Sequence, residues 1–61
     1  MNDDLFLELI PTVGFTTVAD LARETGKDRR TINKNVARLA RDGKVSFRRI
    51  GKIIAVWKEE A

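Results

Sequence analysis

The sequence predicts a small α+β domain: three helices followed by a two-stranded β-hairpin. Three observations carry this. Apolar residues recur with helical spacing as far as Gly43, then alternate with polar ones in "KVSFRR" and run together as β-branched and aromatic residues in "KIIAVWK". Gly14, Gly26, Gly43 and Gly51 fall between the periodic segments, where turns belong. The chain has 61 residues, enough for one small core, so residues 1–61 are read as a single domain.

Composition narrows the class. With 43% hydrophobic and 34% charged residues the chain has the makeup of a globular protein and not of a disordered one. It lacks cysteine, hence a disulfide framework or thiolate metal site, and lacks histidine, the commonest metal ligand and proton shuttle. No apolar run approaches the roughly 20 residues of a membrane helix, and no signal-peptide pattern opens the chain. No membrane partner is therefore expected, and the expected location is cytoplasmic.

"NDDLFLELIP" reads as the first helix. Asn2 caps it, Asp3 and Asp4 suit its positive end, and Pro11 stops it. Leu5, Phe6, Leu9 and Ile10 are placed toward a core, with Leu7 on another side. This helix is apolar over more of its circumference than one core requires, so a homodimer through Leu5, Leu7 and Ile10 is one expectation. The other is a small domain that simply exposes a leucine. Gly14 permits a turn, and Phe15-Thr16 reads as a short extra strand.

"TTVADLARETG" gives the second helix. Thr17, followed three residues later by Asp20, resembles a capping box; Val18, Leu21 and Ala22 face inward; Gly26 suits the left-handed C-terminal position. Almost no linker follows. Asp28 is an N-cap for a third helix that runs to about Asp42 and ends at Gly43. At about 100° per residue, Val36 and Leu39 lie within about 40° of Ile32, with Ala40 on the same flank. The opposite side collects Arg30, Lys34, Arg38 and Arg41, with Asn33 and Ala37 on one shoulder. "KVSFRR" then alternates as a half-buried strand, and "KIIAVWK" is a β-branched and aromatic run. "RRIGK" joins them with a glycine at the tip; Ile-Gly is a weaker hairpin signal than Asn-Gly and leaves a longer or bulged loop open.

Charge is distributed unevenly. Arg23 is the only base among residues 1–26, against Asp3, Asp4, Glu8, Asp20 and Glu24. Every other base lies between Lys27 and Lys58, against Asp28 and Asp42 alone, although the net charge is only +3. Such asymmetry points to a polyanion met by one side of the molecule.

Two helices joined by a tight glycine turn, the second of them basic, form a helix-turn-helix arrangement. The spacing from Leu21-Ala22 through Gly26 to Ile32, Val36 and Leu39 resembles the helix-turn-helix superfamily, and the basic hairpin that follows resembles the wing of its winged-helix branch. The resemblance spans residues 16–58. It implies a three-helix core with a β-hairpin wing, and double-stranded DNA as partner. A helix about 10–12 Å across fits a major groove about 12 Å wide. Arg pairs bidentately with guanine and Asn with adenine, while Lys and the other arginines serve phosphates. Arg29, Arg30, Asn33, Lys34, Ala37 and Arg38 are the expected reading surface. Arg29 lies near the buried flank yet reaches a phosphate from the helix start. Arg41, further along, is expected to meet backbone, and Arg48, Arg49 and Lys52 the adjacent minor groove or its phosphates.

A narrower stretch, "TTVADLARETGKDRRTINKNVARLARDGKV…W", is similar to the Z-alpha domains that bind left-handed nucleic acid. That similarity implies backbone contacts by Arg29, Arg30, Asn33 and Lys34, with Trp57 packed beside them. Two features depart from the family. Ala37 stands where it has its key aromatic, and Ile54-Ala55 where it has a double proline. Read from its own chemistry, Trp57 is an anchor between the hairpin and the first helix.

Catalysis finds no support. Asp3-Asp4 and Glu59-Glu60 read as a helix-start charge and a solubilising tail. The hydroxyl residues have no histidine base, and no glycine-rich phosphate loop is present. No enzyme, cofactor, metal or small-molecule ligand is expected. The leading expectation is a small transcriptional regulator reading duplex DNA. A protein-interaction adaptor and a non-specific nucleoid-coating protein remain as alternatives.

Overall fold

Caps and turns in the chain set the ends of each element, and the computed structural model describes residues 3–59, the side chain of Asp3 excepted. The elements run α1 (Asp3–Glu8), β1 (Thr16–Thr17), α2 (Val18–Thr25), α3 (Arg29–Arg41), β2 (Val45–Ile50) and β3 (Ile53–Lys58). Three helices thus pack with one antiparallel sheet of order β1-β3-β2, an α+β layout. The cap assigned to Asn2 and the tail residue Glu60 lie outside the described residues. Among the described residues no helix is long and apolar enough to cross a membrane.

The first helix is shorter than the sequence suggests, for a local reason. After Glu8 the bonds shorten to i→i+3: Leu9 N–H donates to the Phe6 carbonyl and Ile10 N–H to the Leu7 carbonyl, each at 3.1 Å. Such tightening brings residues three apart onto one line. Ile10 swings in with Leu7, so Phe6 and Ile10 are buried and Leu7 packs partly against the core, while Leu5 and Leu9 are left exposed. The expected inward Leu5 and Leu9 and outward Leu7 are thereby corrected. Of the three residues expected at a homodimer contact, Ile10 is 1% exposed and belongs to the core, whereas Leu5 is 62% exposed.

Around α2 the chain obeys its local signals. Thr17 is extended (φ −123°, ψ 159°), and its side-chain oxygen accepts from the Asp20 N–H at 3.1 Å. The same extended residue pairs with Ala55 and its neighbour Thr16 pairs with Val56. The short strand is therefore Thr16–Thr17 and not Phe15-Thr16, and Phe15 is left more than half exposed. Gly26 ends α2 at φ 72°, with its N–H bonded to the Ala22 carbonyl at 2.9 Å. A Cβ there would meet no atom within 4 Å, so the requirement for glycine is purely conformational.

Ile32, Val36 and Leu39 from α3 meet Val18 and Leu21 from α2, Phe6 and Ile10 from the first segment, and Val45 and Val56 from the sheet. Burial on α3 follows the helical period, so its axis is pinned with one side inward. The hairpin turn holds two residues, Gly51 and Lys52, between the paired Ile50 and Ile53. Gly51 has φ 60° and Lys52 a negative φ, the sign pattern of a type II′ turn, whose twist suits two flanking strands. The tip is thus as tight as a hairpin allows.

Alternation along β3 decides the place of Trp57. Val56 faces the helices, with Ile54 packed against the same core, so Trp57 points to the other side of the sheet. It is half-buried opposite Ser46 and takes no part in the core. The expected anchor between hairpin and first helix is replaced by Phe6 and Ile10.

Candidate nucleic-acid interface

The cationic side of α3 is presented to solvent by the burial of its opposite side. Arg29, Arg30, Asn33, Lys34, Ala37, Arg38 and Arg41 are all exposed, while Ile32 and Leu39 are 0% exposed. Stepping by about 100° places Arg30, Lys34, Ala37 and Arg41 opposite the buried seam and turns Arg29 and Asn33 to one flank. On that flank lies a groove of about 260 Å³. The start of α2 walls it with Thr17, Val18 and Ala19, α3 with Arg29 and Asn33, and the hairpin tip with Lys52; Ile53 and Ile54 complete the lining. Helix and hairpin tip therefore border the same depression, one contributing a guanidinium and an amide, the other an ammonium.

The remaining hairpin bases do not converge there. Arg48 pairs with Ala55 and lies on the sheet face away from the helices, whereas Arg49 pairs with Ile54 on the helix face. Both are exposed, but they point to opposite sides of the sheet, and only Lys52 reaches the groove. The first turn of α2 is a wall that sequence reading did not assign to the site. Its signal was the Thr17 cap, since a helix start leaves backbone N–H groups without intrahelical partners. A second hollow, of about 410 Å³, lies between α1 and the end of α2, lined by Leu5, Phe6, Leu9, Glu8, Glu24, Thr25 and Lys27. It is away from the basic face of α3.

Several cations of α3 and the hairpin have no ion-pair partner among the described residues. Arg23 of α2 is ion-paired with Asp20 one turn earlier. By contrast Arg29, Arg30, Arg41, Arg48, Arg49 and Lys52 form no ion pair with another described residue. Arg38 donates to the Asn35 side-chain oxygen at 3.3 Å. Unpaired cations at this density repel one another, and a polyanion relieves that repulsion.

Asp28 is the acid embedded in the basic segment, and its role is structural. Its carboxylate caps α3 by accepting from the Thr31 N–H at 2.9 Å. Those backbone and side-chain bonds from Thr31, aided by the charge of Lys34, hold its pKa below the ordinary 3.8. A lowered folded-state pKa stabilises the fold above the unfolded value, and the contribution disappears as pH falls through the folded value. Asp28→Ala should therefore unfold at lower temperature than the parent at neutral pH. The two melting temperatures should converge as pH falls through the folded value, where the parent carboxylate is protonated as well. A melting difference that stays constant across that range would contradict the capping role.

No protein family, curated protein or solved structure matches the chain. The aromatic that a Z-alpha-like site would set beside Asn33 and Lys34 is Trp57, which points away from α3. The position that would carry the second aromatic is Ala37.

Proposed function

We propose that this is a winged-helix protein that binds right-handed duplex DNA, with α3 in the major groove and the hairpin as a wing on the adjacent backbone, and that it acts as a transcriptional regulator. The observation that carries the reading is the groove in which Arg29 and Asn33 of α3 face Lys52 of the hairpin tip. A helix in the major groove needs neighbouring cations to hold the flanking phosphates, and the tip supplies one beside the helix start. Arg30, Lys34, Ala37 and Arg38 then front the bases, with Arg41, Arg48 and Arg49 left for backbone. Asn33 offers the amide edge that adenine accepts, and the Ala37 methyl is small enough to lie against a thymine methyl.

Titration of a duplex against increasing salt tests the electrostatic half of this reading. Neutralising about five phosphates should give log K against log salt a slope of roughly −4 to −5. A mobility-shift assay with random-sequence competitor tests the rest. Selective retention of one duplex from a random pool supports a regulator, and equal competition by all sequences replaces it with a coating protein. Absence of any shift replaces it with an adaptor that binds protein.

A further inference from the structure

One edge of the sheet is open, and its free groups are arranged symmetrically. In the order β1-β3-β2 the strand β2 is outermost, and its residues pair only with β3. The direction of its backbone groups follows from two bonds at the open end of the hairpin. Glu59 N–H donates to the Lys44 carbonyl at 3.1 Å, so 44 and 59 form a hydrogen-bonded pair. Bonded and non-bonded pairs alternate along an antiparallel ladder. Ser46–Trp57, Arg48–Ala55 and Ile50–Ile53 are therefore the bonded pairs. Lys58 agrees, since its N–H turns away from β2 to the Pro11 carbonyl at 2.9 Å. Val45, Phe47 and Arg49 must then turn their N–H and C=O groups to the open side, where no backbone group of another described element bonds them. The edge is unbroken by bulge or proline, and Phe47 at its middle is 49% exposed. Proteins normally cover or blunt such an edge.

We propose that β2 is the interface with a second copy of this chain. The strands pair antiparallel about a two-fold axis at Phe47 and join two three-stranded sheets into one of six strands. The register follows from hydrogen bonding and charge together. Outward residues must face outward residues. Centring on Phe47 sets it against the partner's Phe47 and sets Val45 against the partner's Arg49, so the N–H and C=O groups of Val45, Phe47 and Arg49 are satisfied in both copies. Arg48 then faces the partner's Ser46, and Lys44 the partner's Ile50. No two cations stand directly opposite.

Sliding one strand by two residues leaves outward groups unbonded and opposes like charges. In one direction Arg48 meets the partner's Arg48, and in the other Lys44 meets it. Directly opposed like charges destabilise a strand pair. Only the centred register avoids both faults, and it buries the exposed Phe47 ring against its own copy. A two-fold axis normal to the sheet puts both α3 helices on one face of the joined sheet, with the hairpin tips pointing apart.

The chain has no cysteine, so a single introduced thiol reports the register. Bonded partners in an antiparallel pair have Cα atoms about 5.5 Å apart, within disulfide range. Phe47→Cys should therefore oxidise readily to a covalent dimer. Ser46→Cys should not, because its own counterpart lies diagonally at about 7–8 Å. By sedimentation equilibrium the unaltered chain should be a dimer, and Phe47→Lys, which opposes two ammonium groups, a monomer with an unchanged far-ultraviolet circular dichroism spectrum. Raising the salt should strengthen the association by screening the arginines of the two copies, the opposite sign to DNA binding. A parent chain that stays monomeric at high concentration would overturn the proposal. Equal cross-linking by both cysteine variants, or a dimer untouched by Phe47→Lys, would do the same.

Discussion

Replacing Arg30 and Lys34 together with alanine should weaken duplex-DNA binding at least tenfold while leaving the fold intact. Both side chains are exposed, on the side of α3 opposite Ile32, Val36 and Leu39. Neither forms an ion pair with another described residue. Truncating exposed side chains outside the core usually changes stability by no more than about 0.5 kcal/mol, alanine is the best helix former, and the charge of Lys34 is the least of the influences on the Asp28 cap. The loss must then appear in binding. Tenfold corresponds to about 1.4 kcal/mol, a modest demand for two charge-assisted contacts. If both residues meet phosphates, the salt slope should also fall by about 2, whereas a base contact by Arg30 would lower affinity most on the preferred sequence. Arg23→Ala provides the comparison. It removes a cation of the same type from the acidic half of the chain, where Asp20 already pairs with it, and should leave binding unchanged. Titrations of the double variant that overlay those of the parent would remove α3 from the interface.

The parts of this molecule that were legible in the sequence are those decided within a few residues. Thr17 and Asp28 cap α2 and α3 because a side-chain oxygen reaches an N–H three residues ahead, a geometry that sequence spacing alone specifies. Gly26 closes α2 for the same local reason, and the period of Ile32, Val36 and Leu39 states which side of α3 is inward. Since the cationic side is the complement of that seam, its exposure was legible too. Where the answer depends on a distant strand, sequence reading failed. Trp57 looked like an anchor by size, but strand parity gives the core to Val56, and parity is set by pairing with β2 and β1. The faces of α1 depend on bonds that tighten after Glu8, which no residue there announces. The groove is likewise non-local, for it needs Thr17, Arg29 and Lys52 from three separate elements.

The anchoring of α3 can be tested apart from its charge. Leu39→Ala should cost about 2–5 kcal/mol, because the side chain is 0% exposed and its removal leaves a cavity among Ile32, Val36, Leu21 and the other core residues. The whole domain is not much more stable than that. At roughly 0.05–0.15 kcal/mol per residue a chain of 61 residues has about 3–9 kcal/mol in total. The melting temperature should therefore fall by at least about 8 °C, with loss of the cooperative transition at the upper end of the cost. Leu5→Ala is the control. This leucine is 62% exposed on α1, so its truncation should shift melting little. DNA binding by Leu39→Ala should decline with the folded fraction and recover in conditions that refold the chain, because no cation has been touched. The Arg30 and Lys34 variant should show the reverse, a normal melt with weak binding. A Leu39→Ala protein that melts within a few degrees of the parent would mean that α3 is held by something other than its aliphatic seam, and the orientation of its basic side would lose its cause.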